Sequence, residues 1–266
     1  MEQIEVANDI FIPQPIDEDN NWVVKIAETK EELETVYRLR YEVFNLEMRI
    51  GHDFSSPNKQ DKDRYDEQFL HLIVISKKAN KIIATYRAQN YAMAQTGIGF
   101  FSAGLFDFDQ FPLEIQQQGL EVSRACIAKE FRNSKVFHFL WRGLAILLYE
   151  NRLRYFFGCS SVPSTDNQDA NGLVKLLQTM DAYHNEIYVK AKPGFECIYK
   201  DEQVDITKVI LPSLFNLYLR FKCYVCSAPS REQGIQAIDF LTIYDAKFVS
   251  KRHHKMFLGD RKNLFC

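Results

Sequence analysis

A mixed α/β fold, a central sheet flanked by helices, is predicted by three observations. Apolar segments follow the order β-α-β-β-(α)-β-α-β-α over most of the chain. Two of them, 69–75 and 81–87, are parted only by the turn Lys77 to Asn80, so they form an antiparallel hairpin. A later strand–helix–strand unit suggests a parallel pair in the same sheet.

The elements can be taken in order. Residues 1–20 are polar, carry Pro13 and Pro15, and read as a tail or a strap over the surface. Trp22 to Ile26 is a strand. Thr29 is a good N-cap with Glu32 at the capping-box position, so a helix follows and runs to about Met48. Residues 51–62 form a polar loop before the hairpin. A short helix is expected near Gln110 to Gln118, then a strand from Leu120 to Ile127. Val136 to Arg152 is a long helix with Leu140, Leu144, Leu147 and Leu148 on one side. Tyr155 to Ser160 is a strand, and a helix runs from Asp166 to about Met180. Further on come a helix from Pro212 to about Cys226, a strand from Ile238 to Tyr244, and a closing helix ending near His254. The expected division is a tail at 1–20, a core at 21–200 and a C-terminal α/β extension at 201–266 that packs on the core.

The 266 residues are 46% hydrophobic, enough for one large domain with an extension. The formal charge is −2, so no global attraction to nucleic acid is expected, and none is assigned as a partner. The acidic start, Met1-Glu-Gln-Ile-Glu, lacks a secretory apolar region, and six cysteines then suit a reducing cytoplasm. Cys223 and Cys226 form a lone C-x-x-C, which without a second pair reads as two buried thiols; no metal site is expected.

Six charged residues sit in or beside apolar runs, where charge is expensive to place: Arg40, Asp63, Asp66, Arg87, Glu121 and Arg124. Three cations and three carboxylates balance, as a largely desolvated cluster requires. The alternative to a chemical role is an ion-pair network that only orders the sheet. One geometric difficulty is plain: Glu121 and Arg124 point to opposite faces of a regular strand, so they share a pocket only if the strand bulges between them.

The string Arg38-Leu-Arg-Tyr-Glu-Val-Phe44, the pair Asp63/Asp66, then Arg87, then Glu121-Val-Ser-Arg124, resembles the pattern of the GNAT superfamily of N-acyltransferases. The likeness is to the acyl-homoserine-lactone synthases and to the ornithine-lipid and glycine-lipid N-acyltransferases. Three segments favour the lipid branch: Leu140-Trp-Arg-Gly143, the run Phe157 to Asp166, and Pro212 to Arg220 with Asp239-Phe-Leu.

The resemblance implies a donor and an acceptor. The donor is a long-chain acyl group, with or without a 3-hydroxyl, on acyl carrier protein, with no bound cofactor; the acceptor is the α-amine of a free amino acid. Aminolysis of a thioester needs a deprotonated amine, a polarised carbonyl and two reactants held together. Glu121 is the candidate base, directly or through one water. Arg124, Asp66 and Arg87 complete the expected catalytic set. Arg40 and Asp63, with Ser123, are expected to hold the amino acid, since guanidinium forks suit carboxylates. A strand amide around Cys126 or Ile127 is the expected oxyanion donor. The turn from Ala128 to Val136 lacks glycine, so Arg132, Ser134, Lys135 and the helix start are expected to hold the one phosphate of a phosphopantetheine. Arg142 joins Arg132 and Lys135 as a charge facing the acidic carrier. Phe100, Phe101, Leu105, Phe106, Phe108, Phe111, Phe137 and Phe139 are available for an acyl tunnel. The basic segment Lys251 to Lys255 and a lipid-like product suggest peripheral contact with the inner membrane surface. Two alternatives stand beside this reading: a lactone synthase using S-adenosylmethionine, and a non-catalytic acyl-carrier or lipid-binding module.

Overall fold

The computed structural model describes residues 10–50, 57–132, 134–164, 166–231 and 235–265. The expected tail at 1–9 and part of the polar loop, 51–56, lie outside them. A short strand β1 (Asp17–Glu18) leads to β2 (Trp22–Ile26), α1 (Lys30–Arg40), β3 (Leu70–Ser76), β4 (Lys81–Gln89), α2 (Tyr91–Thr96), α3 (Leu113–Gln117) and β5 (Gly119–Ile127). Then come α4 (Ser134–Glu150), β6 (Tyr155–Pro163), α5 (Asp169–Thr179), α6 (Ser213–Arg220), β7 (Tyr224–Val225), β8 (Ala237–Asp245) and α7 (Lys251–Leu258). The strands form one mixed sheet in the order β1-β2-β3-β4-β5-β6-β8-β7. The predicted mixed sheet flanked by helices is the architecture found.

Local chemistry explains most boundaries. Thr29 caps α1 in a complete capping box with Glu32. The helix then widens into a π-helical stretch, Tyr41–Glu47, so the predicted single helix is two kinds of helix in sequence. The predicted helix from Pro212 to Cys226 stops at Arg220. Lys222 takes a left-handed conformation (φ 66°), and the N–H of Cys223 closes onto the Tyr218 carbonyl at 3.0 Å, so the chain turns into β7. The closing helix runs past His254 to Leu258, where Gly259 (φ 62°) ends it. Ile206 to Lys208 is a single 3₁₀ turn. Short α2, capped by the Asn90 side chain, was not anticipated.

The sheet has two differently used faces. On one, α4 buries Leu140, Leu144 and Leu147 against Val24, Leu72 and Ala84. On the other, α1 places Val36 and Tyr37 on Ile73. The start of the described chain straps across the α4 side: Ile10 and Ile12 pack on that core, and Phe11 N–H donates to Asn151 Oδ1 at 2.6 Å. The C-terminal part does more than cover the sheet. Its strand β8 pairs with β6 over nine residues, from Tyr155↔Asp245 to Pro163↔Ala237.

Two irregularities in the middle strands prepare the site. Arg87 pairs with Ser123 and Thr85 with Cys126, so β5 carries one extra residue opposite Tyr86. Arg124 occupies this bulge in the left-handed region (φ 57°), which costs a non-glycine residue about 1–2 kcal/mol. Next to it, the parallel pairing of β5 with β6 stops at Glu121↔Phe157, and the two strands part. Gly158 permits their close approach at the fork, since a Cβ there would lie 2.1 Å from the Val122 carbonyl oxygen. Gly158→Ala is therefore expected to lower stability by about 1–3 kcal/mol. An unchanged denaturation midpoint would show that the fork does not depend on this contact.

Candidate active site

Three arginines and three aspartates gather on the α1 face. Arg40, at the end of α1, gives Nε and Nη2 to Asp61 Oδ1 at 2.9 and 2.6 Å, and Nη1 to Asp66 Oδ1 at 2.6 Å. Arg87, from β4, gives Nη1 to Asp63 Oδ1 at 2.7 Å and to Asp66 Oδ1 at 2.9 Å, and Nε to Ser123 Oγ at 2.9 Å. Arg124 reaches Asp61 and Asp63 at 3.3 Å each. Asp63 and Asp66 form a tight turn in which Asp63 N–H donates to Asp66 Oδ2 at 2.7 Å.

Burial alone would raise the Asp66 pKa, but Arg40 and Arg87 outweigh it and hold the carboxyl well below the usual range. Asp61 and Asp63 are likewise held low against burial, by Arg124 and Arg40 and by Arg87 and Arg124 respectively. Burial pushes the His71 imidazole down to about 4, and its Nε2 lies 3.0 Å from the Asp66 carbonyl oxygen. Only two cluster members reach solvent: the side chains of Arg124 and Asp63 are 17% and 18% exposed.

The third carboxylate of this cluster is Asp61, where the sequence pointed to Glu121. Asp61 stands two residues before Asp63 in Asp61-Lys-Asp-Arg-Tyr-Asp66, so the spacing of acids in this short segment was the available signal. Glu121 is wholly buried in a separate nest beside the cluster. It accepts Ser102 N–H on Oε1 at 2.6 Å, and Phe101 N–H and Gln89 Nε2 on Oε2 at 3.0 and 2.7 Å. Burial raises its pKa, and these donors oppose the rise. Phe101 joins the two parts, because its ring lies over Arg87 and Arg124 at 5.5 and 5.7 Å. The expected bulge is present and turns Arg124 to the cluster's face, but Glu121 stays in its own nest and the two do not share a pocket.

A cleft of about 470 Å³ opens where β5 and β6 part. Ser123, Arg124 and Ile127 line one wall, and Cys159, Ser160 and Ser161 the other. Leu140, Phe137, Leu214 and Phe215 make an apolar slot on the α4 side. Glu121 does not line the cleft. Two neighbours connect it to the cleft: Phe101, which lines it, and Ser102, whose hydroxyl accepts the Cys159 thiol at 3.5 Å. A base at Glu121 therefore works through an intermediary and not by direct contact.

The amide choice also narrows. Ala128 N–H donates to the Ile83 carbonyl at 2.8 Å, so by strand alternation Cys126 N–H also faces β4, while Ile127 N–H faces the gap. Arg132 lines the cleft mouth but is paired with Glu47 and with the Ile127 carbonyl at 2.9 Å. Lys135 is exposed at the start of α4, and the Ser134 side chain lies outside the described residues. Arg142 sits further along α4 and pairs with Asp17 at 2.8 Å. Of the aromatic residues expected in a tunnel, Phe101 and Phe137 reach the cleft. Phe100, Phe106, Phe108 and Phe111 pack in a separate core around Phe157, and Phe139 packs on Trp22. Cys223 and Cys226 are buried thiols that flank β7 at its two ends. Among the described residues, no group of three or more His, Cys, Asp or Glu is placed to hold a metal ion. No helix among them is long and apolar enough to cross a membrane.

Residues 39–142, which carry the arginine–aspartate cluster, the bulge and the start of α4, match the family described as acetyltransferase (GNAT) domain. Over this segment the chain is similar to a GNAT domain. Relatives extend the likeness beyond it. An L-ornithine N(alpha)-acyltransferase of Brucella abortus (strain 2308) is 26% identical over 256 residues, covering 86% of each chain. One from Agrobacterium fabrum (strain C58 / ATCC 33970) is 23% identical over 262 residues, covering 90% of this chain and 86% of its own. Among solved structures, the acyl-homoserine lactone synthase LasI is 14% identical, with 90% of this chain and 95% of that chain covered at a TM-score of 0.47. The GNAT match and the two acyltransferase relatives support acyl transfer to an amine.

Proposed function

We propose that this protein transfers a long-chain acyl group, of the 3-hydroxy class, from acyl carrier protein to the α-amine of a free amino acid. The product is an N-acyl amino acid, the lyso form of an aminolipid. The observation that carries the reading is the gap between β5 and β6, with an arginine at its polar face and an apolar slot at the other. Two chemically opposite substrates can meet there through the sheet. The names of the relatives make ornithine the first acceptor to test.

In this reading Arg124, half-open to the cleft, takes the acceptor carboxylate, while Asp61 and Asp63 fix its guanidinium. Arg40, Arg87 and Asp66 hold that pair rigid from behind. Ser123 lines the cleft beside Arg124. The acceptor ammonium gives up a proton, which Glu121 receives by way of an intervening group at the Ser102–Cys159 wall. The amine nitrogen attacks the thioester carbon, and Ile127 N–H steadies the charge on its oxygen. The C–N bond forms, the C–S bond breaks, and the pantetheine thiolate takes up a proton.

A carrier-protein donor suits the mouth of the cleft. A turn without glycine offers little cradle for a pyrophosphate; a single phosphate would meet the start of α4 and Arg132, which would exchange its Glu47 partner for it. An acidic carrier would meet exposed Lys129, Arg132 and Lys135 there. Exposed Lys251, Arg252 and Lys255 on α7 would face the inner membrane surface, whereas Phe257 is turned inward onto Trp141.

The test incubates the full chain with acyl carrier protein bearing plain or 3-hydroxy chains and a panel of amino acids. Mass spectrometry is expected to show amides, with ornithine among the best acceptors. No amide with any amino acid would overturn the proposal, and lactones formed with S-adenosylmethionine would replace it by the synthase reading.

A further inference from the structure

The apolar slot has a floor that the acyl-transfer chemistry leaves unused. Tyr86 comes from β4, directly opposite the bulge, and Tyr218 from α6 in the C-terminal part. Their hydroxyls meet at 2.8 Å, and both residues are buried. Behind Tyr218 the indole of Trp141 stacks at 5.7 Å and 22°. Both tyrosines line the 470 Å³ cleft, and both also line a second, much smaller cavity of about 30 Å³ beside Trp141 and Phe156. The hydrogen-bonded pair is thus a partition between two hollows.

Resting on the acyl-transfer reading, we infer that the Tyr86–Tyr218 pair is the stop that sets the length of the acyl chain. A tail that passes the thioester position runs along Phe137, Leu140, Leu214 and Phe215 and then meets two rings. Each hydroxyl has the other as its hydrogen-bond partner, so neither oxygen meets the chain end wholly unpaired. A longer tail would have to part that bond and displace the stacked Trp141, in an interior packed too densely to yield. The smaller cavity beyond gives extra methylenes somewhere to go once a ring is removed. Fit in an apolar pocket discriminates by about 10–200-fold per methylene.

The experiment compares kcat/KM for a graded series of acyl carrier donors in wild type, Tyr218→Ala, Tyr86→Leu and the double variant Tyr86→Phe/Tyr218→Phe. Either single truncation is expected to raise the ratio of a donor two carbons too long to the best wild-type donor by about tenfold or more. The double Phe variant keeps the rings and should keep the wild-type length profile. In parallel, thermal shifts by acyl-phosphopantetheines of graded length read the stop without turnover; the longest ligand that stabilises should lengthen in the truncated variants. An unchanged length profile in both truncated proteins, by turnover and by thermal shift, overturns the stop. A failed amide assay with a length-dependent thermal shift would instead overturn the activity and leave the stop standing. If Tyr218→Ala does not fold, Tyr86→Leu decides from the other strand.

Discussion

Arg40→Met is expected to destabilise the protein by about 3–5 kcal/mol, the loss seen when one partner of a buried ion pair is removed. Arg40 is wholly buried and serves Asp61 and Asp66 together. Without it, two arginines would face three carboxylates in the same space. Arg87 and Arg124 already bond these acids and cannot replace a fork that spans both. Arg40→Lys should lose less but still measurably, since one ammonium lacks the planar fork. The pH dependence checks the cause. In wild type the three aspartates are held below their unfolded pKa, so their stabilisation is present above ordinary carboxylate pKa values and fades as pH falls through the depressed ones. Arg40→Met should flatten that acid-side slope. A denaturant midpoint within experimental error of wild type would refute the central place of Arg40.

Glu121→Gln is expected to cut kcat/KM by about 10²–10⁴-fold if Glu121 is the base. Burial places its pKa above the ordinary glutamate value, with Ser102, Gln89 and Phe101 opposing. A base acts only when ionised, so wild-type kcat/KM should decline as pH drops through that raised pKa, and the variant should lose this limb. The substitution has a structural cost as well. All three neighbours of the carboxylate are donors, so a glutamine amide must turn its NH₂ toward one of them. That leaves a buried donor unsatisfied, worth about 1–3 kcal/mol. Circular dichroism and the melting temperature separate this cost from the catalytic one. Wild-type turnover in a folded variant would make Glu121 only the anchor of the loop that carries Phe101.

The parts of the molecule that follow from local rules were readable in the chain. The capping box at Thr29, the hairpin around Lys77 to Asn80 and the apolar stripe of α4 each depend on residues close in sequence. The kinds of charge in the site were readable too, because Arg40 and Arg87 interrupt apolar runs. Their partnership was not. Asp61 and Asp63 are chemically equivalent in sequence, and only the path of the segment before β3 decides which arginine each one meets. The bulge was hidden because left-handed backbone is usually marked by glycine, and here the residue is Arg124. The choice between the amides of Cys126 and Ile127 depends on register with β4, which no local pattern encodes. Phenylalanine offers no clue to whether it faces a slot or a core, so Phe100, Phe106 and Phe111 looked the same as Phe137.

The long partnership of β6 with β8 has a consequence for biosynthesis. Tyr155–Pro163 emerges from the ribosome well before Ala237–Asp245, its neighbour along nine residue pairs. During that interval one whole edge of a hydrophobic strand has no native cover, and such edges recruit other strands. Nascent chains halted near residue 200 should therefore aggregate or engage chaperones, and release of the remaining quarter should end both.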